Sequence, residues 1–161
     1  MLKVRYYPQD NLYSCGPICL KMVFEFYGKK ISKENLSKLT RTKKSGTSHN
    51  NMIKVSLKEG FYCYVHNDSS LNQLKHFIDL GLPVIVNFTE PDGNEGHYAV
   101  VIGHNNRKII MHDPWNGSHF KLKEKDFEKR WYDYHKKHKY TRWLLVLSKD
   151  KFNLGKQYGP K

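Results

Sequence analysis

Four residues of this chain are of types that together support acyl transfer: Cys15, His97, Asp113 and Gln9. A cysteine attacks only as the thiolate, so its setting decides its reactivity. Cys15 stands directly before Gly16-Pro17, and proline is well tolerated at the start of a helix, where its missing N–H is not needed. Leu20, Val23, Phe24 and Tyr27 follow at three- and four-residue spacing, and Gly28 stops the run. The pattern predicts a helix over 15–27 with Cys15 at the positive end of its dipole. Such a setting lowers a thiol pKa from about 8.5 towards roughly 3.5–7.5. The plainer alternative is a small buried hydrophobe, the usual fate of a free cysteine. A base must be found elsewhere to decide between them.

That base is normally His, itself oriented by a carboxylate or amide. Of the nine histidines, His97 is set apart by position. It leaves an acidic, turn-rich stretch (Glu90 to Gly96) and begins the apolar run Tyr98-Ala99-Val100-Val101-Ile102. Asp113 ends the next strand-like run and is followed by Pro114, which stops further pairing. If Lys108 to Asp113 pairs with His97 to Gly103 as a hairpin, register decides whether the two side chains meet. A three-residue loop at His104-Asn105-Asn106 sets His97 opposite Asp113, with Cβ atoms roughly 4.5–5.5 Å apart. A two-residue loop at Asn105-Asn106 sets them on opposite faces. The chemistry therefore requires an odd loop or a bulge. Otherwise Asp113 serves only to cap the Pro114–Gly117 turn. For the developing oxyanion, the Cys15 N–H and the Gln9 side chain are the candidate donors.

Further runs repeat a known pattern. Gln9 lies six positions before Cys15-Gly16-Pro17. Gly81-Leu82-Pro83-Val84-Ile85-Val86 is strand-like. Gly96-His97-Tyr98 leads to an apolar strand ending in Gly103, Asp113-Pro114 follows His97 by sixteen positions, and Phe127 is followed by Trp131. Five such elements in order resemble the papain-like cysteine peptidases, and within them the bacteriocin-processing peptidases of double-glycine leaders. The resemblance spans roughly residues 5 to 147. It implies Cys15 as nucleophile, His97 as general base and then acid, Asp113 as the group orienting His97, and Gln9 in the oxyanion hole. It also implies a peptide or protein substrate, cut after Gly-Gly in a leader, and a transporter or other membrane-associated partner. In that family the peptidase is often one domain of an ATP-driven exporter. This sequence has no Gly-x-x-x-x-Gly-Lys-Ser/Thr loop.

Among the elements that carry these residues, helices are predicted first. After 15–27, Ser32 opens a helix with Leu36 and Leu39, and Ser48 one with Met52, Val55 and Leu57, ended by Gly60. Phe61 to Val65 reads as a strand. Ser69 or Ser70 opens a helix with Leu71, Leu74, Phe77 and Ile78 inward, stopped by Gly81. Strands then follow at Pro83 to Phe88, in the proposed hairpin, and at Trp143 to Leu147, with a helix over 123–134 carrying Phe127 and Trp131. The expected class is α+β and papain-like: N-terminal helices on one side of a C-terminal antiparallel sheet. A single domain is expected over 1–150, with a flexible tail over 151–161.

Composition bounds the rest. The chain has 161 residues, with 39% hydrophobic and 14% aromatic, enough for one packed domain. No apolar run reaches membrane-span length and no signal peptide opens the chain. Three cysteines form no disulfide framework, which fits a reducing, cytoplasmic setting. Cys15 and Cys19 lack the further ligands zinc would need, so neither metal nor cofactor is expected; Cys19 and Cys63 read as core. Lys and Arg outnumber Asp and Glu by 28 to 15, a net charge of +13 that attracts anions. The basic, aromatic stretch His119 to Arg142 keeps nucleic acid open as a less favoured partner. The Glu90–Glu95 loop either borders a cleft favouring basic peptide positions or is a solvated turn. Two alternatives to a peptidase remain at this stage. One keeps the triad in a thiol amidase or transferase; the other is a non-catalytic basic module binding peptide or nucleic acid on the same fold.

Overall fold

The computed structural model describes residues 1–160. Helices α1 (Cys15–Phe26), α2 (Lys33–Leu39) and α3 (His49–Lys58) come first, then strand β1 (Tyr62–His66) and helix α4 (Leu71–Asp79). Strands β2 (Val84–Thr89), β3 (Gly96–Asn105), β4 (Lys108–Asp113) and β5 (Gly117–Lys123) follow. Helix α5 (Glu124–Arg130), the pair β6 (Tyr132–His135) and β7 (His138–Thr141), and β8 (Leu144–Ser148) complete the order.

The helix starts are set by their caps. Ser32, Ser48 and Ser70 each accept a bond from a backbone N–H of the first turn, at Asn35, Asn51 and Gln73. Gln73 returns the bond to the Ser70 N–H, a reciprocal box that satisfies two end donors at once. After α3 and α4 the chain turns at Gly60 and Gly81 with φ of +96° and +84°, values that only glycine adopts at little cost.

Six strands form one antiparallel sheet in the order β1-β8-β2-β3-β4-β5. The central strand β2 is buried along its whole length: Val84, Ile85, Val86 and Phe88 are apolar, and Asn87 and Thr89 are hydrogen-bonded. One face packs on α1, where Leu20, Val23 and Phe24 are fully buried against Val100, Ile102 and Leu145. Each such side chain contributes about 1.5–3 kcal/mol of burial. The other face, with Ala99, Val101 and Val146, packs on Leu74 and Phe77 of α4 and on Phe127 of α5. Helices therefore cover both sides, which corrects the one-sided arrangement. A sheet buried at its centre needs apolar cover on both faces, and α4 and α5 supply the second layer.

Two other expectations change. No strand is expected between Asp113 and the helix over 123–134, yet β5 forms there, with Phe120 and Leu122 alternating inward along it. The helix expected over 123–134 ends at Arg130, with Trp131 as its C-cap and Tyr132 already in a separate two-stranded sheet, β6-β7. Within residues 151–160, Phe152 is buried in the second core, and Tyr158 exchanges two backbone bonds with Cys63 of β1, both 2.9 Å. Among the described residues no helix is long and apolar enough to cross a membrane.

Candidate active site

The nucleophile candidate is held by the start of α1. Cys15 is the first helical residue, and no side chain caps this end, so its backbone N–H stays available. Gly16 allows the close approach of the loop before α3: a Cβ there would lie 2.8 Å from the Thr47 hydroxyl and 3.2 Å from Met52 Sδ. Cys15 is 8% exposed, whereas Cys19 and Cys63 are fully enclosed. Burial, then the charges of Cys15 and Asp113, push the Cys19 thiol well up, and burial pushes Cys63 up to about 12. Those two are core residues, as expected.

His97 and Asp113 meet by a route that combines a turn and a bulge. The β3–β4 turn is neither of the two loops considered. It is a two-residue turn at Asn106-Arg107, both with positive φ (50° and 59°), which matches the twist of a hairpin. That register alone would carry Asp113 to the face of Val100, away from His97. Between Val101 and Gly103 the register shifts, leaving Ile102 as an extra residue in β3. One step beyond the Val100–His112 pair, Asp113 falls opposite Ala99, on the face that His97 shares. His97 Nε2 is hydrogen-bonded to Asp113 Oδ1. The parity the chemistry required is supplied by a bulge.

Asp113 is fully buried and heavily partnered. Its Oδ1 also accepts from the N–H groups of Trp115 (2.9 Å) and Asn116 (3.1 Å), and its Oδ2 from the Asn116 side chain (2.9 Å). It thus caps the Pro114–Gly117 turn and holds His97 together. Burial alone would raise its carboxyl, but the His97 bond and charge, with Asn116, hold it below the usual range. Burial likewise depresses His97, yet the negative charge of Cys15, the bonds to Asp113 and Cys15, and the charge of Asp113 outweigh it. The imidazole is raised to about 10. When protonated, the imidazole presents its Nε2–H to Asp113 and its other N–H towards Cys15.

Gln9 is anchored to Pro114, next to Asp113, and does not line the cavity onto which Cys15 and His97 open. Its backbone N–H donates to Pro114 O (3.0 Å), and Tyr6 donates its hydroxyl to Asp113 O (3.0 Å), so the N-terminal segment runs along the end of β4. The Gln9 amide donates one N–H to Asn11 O at 2.6 Å, which leaves its second N–H unused. Its side-chain oxygen is buried without a partner. Cys15 and His97 open together onto a cavity of about 380 Å³ whose wall includes Thr47, Asp133, Tyr140 and Trp143. None of Glu90 to Glu95 lines it. Glu90 is buried and turns inward, accepting from Asp92 N–H at 3.0 Å; the acidic loop is a self-capped turn rather than a cleft border.

Residues 3–135 match the Peptidase C39 family. The chain belongs to that family. It is accordingly a cysteine peptidase, and the papain-like class expected from sequence is its fold. The transport/processing ATP-binding protein ComA of Streptococcus pneumoniae is 32% identical over 131 residues, which is 80% of this chain and 18% of ComA. The chain thus spans about a fifth of the length of that relative. Among solved structures, the peptidase domain of Streptococcus ComA, a bifunctional ABC transporter of a quorum-sensing pathway, superposes with a TM-score of 0.75. It is 25% identical and covers 92% of this chain and 100% of that domain. A double-glycine-motif protease from an AMS/PCAT transporter, solved with its leader peptide, gives 0.71 at 21% identity, covering 90% and 91%. A C39-like peptidase from Bacillus anthracis gives 0.75 at 16%, covering 93% and 96%.

Two groups of this C39 peptidase's site escaped the sequence reading. Asn116 clasps the Asp113 carboxylate, and its signal was present as the Asp-Pro-Trp-Asn-Gly turn, where Asp and Asn side chains bond neighbouring backbone. Asn87, buried in β2, donates to His97 O at 3.2 Å. It left no local signal, because its partners are 10 and 46 residues away.

Proposed function

We propose that this C39 peptidase hydrolyses peptide bonds through Cys15, His97 and Asp113, with Gln9 completing the oxyanion site, and that its substrates are leader peptides cut after Gly-Gly. The imidazolium of His97 favours the anionic form of Cys15. The thiolate attacks the carbonyl carbon, and the carbonyl oxygen takes up negative charge. The Cys15 backbone N–H and the spare N–H of Gln9 stabilise that charge. His97 gives its proton to the leaving nitrogen as the C–N bond breaks and the acyl-enzyme remains. Water, deprotonated by His97, then attacks the thioester and releases the acid and Cys15. Asp113 keeps the imidazole in the orientation that serves both steps.

The observation that carries the catalytic reading is the His97–Asp113 bond in a cavity shared with Cys15. What supports the substrate and a transporter partner is kinship with ComA, described as a transport and processing protein. A peptidase attached to or recruited by such an exporter would act on the cytoplasmic side, before the leader is lost. The test is cleavage of a synthetic leader peptide followed by mass spectrometry. Wild type is expected to cut after Gly-Gly, and Cys15→Ala to leave the peptide intact. Replacement of the second Gly by Val is expected to lower kcat/KM at least about 100-fold, or about 2.7 kcal/mol in barrier. Equal cutting of the Val peptide would overturn the leader reading, and cutting by Cys15→Ala would overturn the triad.

A further inference from the structure

Beside His97 lies a carboxylate that the catalytic steps do not use. Asp133, near the start of the β6–β7 hairpin, lines the same cavity as Cys15 and His97. A side chain at Gly96 would run into the Asp133 carboxylate, so that carboxylate rests against the backbone immediately before His97. Its partners are neutral: Asn87 Nδ2 donates to Oδ2 at 3.0 Å and Tyr134 N–H to Oδ1 at 2.7 Å. Asn87 is itself fixed, donating to His97 O and accepting from His49 Nε2 at 2.8 Å. Among the described residues, none of the salt bridges involves Asp133, although the chain carries a net charge of +13. The titratable groups that face it are His97, His135 and Tyr98.

A half-buried carboxylate in no salt bridge is costly unless a cation faces it or arrives from outside. His97 donates its proton to the leaving amine, so the peptide on the C-terminal side of the cut bond must pass His97 and hence Asp133. As that proton leaves, His97 also loses its charge, and the carboxylate then faces a cation only if the substrate supplies one. Tyr140 of the same hairpin lines the cavity, and an aromatic face adds attraction for a cation. We propose that Asp133 is a specificity residue that selects a basic side chain immediately after the cut bond. This deepens the peptidase reading and rests on it for the direction in which the substrate lies.

The test uses leader peptides that differ only in the residue after the cut: Lys, Gln or Glu. In wild type, Lys is expected to exceed Gln in kcat/KM by about tenfold, the size of a charge-assisted contact at a partly exposed site. Asp133→Asn is expected to bring the two within twofold. Gly96→Ala, which displaces the carboxylate without removing it, is expected to shrink the same ratio. An Asp133→Asn enzyme slowed equally on all three peptides, with the Lys preference intact, would make Asp133 a structural support and overturn the proposal. So would a wild type indifferent to the three while still cutting after Gly-Gly, which would leave the peptidase reading standing. Binding of the peptides to Cys15→Ala separates the two further. Lys-selective binding that Asp133→Asn abolishes upholds the selectivity even if no peptide is cut, in which case the peptidase reading falls.

Discussion

The proton on His97 links the residues of the site. With the imidazole raised to about 10 chiefly by the neighbouring charge of Cys15, removing that sulfur should move the titration down. Imidazole NMR on Cys15→Ala is expected to show His97 titrating well below its wild-type value; an unchanged midpoint would mean that Cys15 does not pair with it. The same shift has a consequence for stability. The folded value lies above the ordinary 6.5, so the contribution is full below about pH 6.5 and lost as pH climbs through about 10. Urea denaturation should therefore show the margin of wild type over His97→Gln shrinking between pH 6.5 and 10. Asp113 works in the opposite sense: held below its ordinary 3.8, it stabilises above that pH and ceases to as acid protonates it. Cys15, His97, Asp113 and Gln9 stand out as candidates in the sequence because motif spacing names them. Asn116 and Asn87 do not, because what they hold is set by folding: a turn closing on Asp113, and a strand pairing that brings Asn87 beside His97.

At the scale of elements, the β3–β4 hairpin decides whether a site exists. The sequence required an odd loop or a bulge, and the chain uses a tight turn with a bulge at Ile102. The bulge has one local mark, Gly103 inside β3, but a glycine in a strand equally marks a close backbone approach; pairing with β4 creates the extra residue. The turn residues Asn106 and Arg107 both sit at positive φ, a place where Asn is tolerated and Arg is strained. Arg107→Gly is expected to raise stability by about 1 kcal/mol and leave the register, and so the His97–Asp113 bond, in place. A loss of stability by denaturant titration would mean that Arg107 makes contacts that outweigh the strain. The helices were readable from Ser caps and Gly stops because those signals are local. α5 was overrun because Phe127 and Trp131 are four apart, a spacing that a helix and its C-cap satisfy equally. β6–β7 stayed hidden because its turn passes through Lys136 (φ 56°) and Lys137 instead of an Asn-Gly pair.

On the scale of the whole molecule, two buried faces fix the sheet while its end stays open. α1 on one face brings the thiol to the end of β3 and β4, and the cover of α4 and α5 on the other keeps those strands rigid. The β6–β7 hairpin adds Tyr134 and Tyr140 to the wall of the cavity that results. Three thiols share this framework, and only one of them opens onto the cavity with a base beside it. That difference gives the most direct test of the triad: iodoacetamide labelling at pH 6, read residue by residue by peptide mass spectrometry, in wild type and in His97→Ala. Wild type is expected to label at Cys15 well ahead of Cys19 and Cys63, at least about tenfold faster than a free thiol with its ordinary pKa of about 8.5. His97→Ala is expected to lose that advantage. Labelling of Cys15 no faster than a free thiol, or equally fast without His97, would contradict the triad.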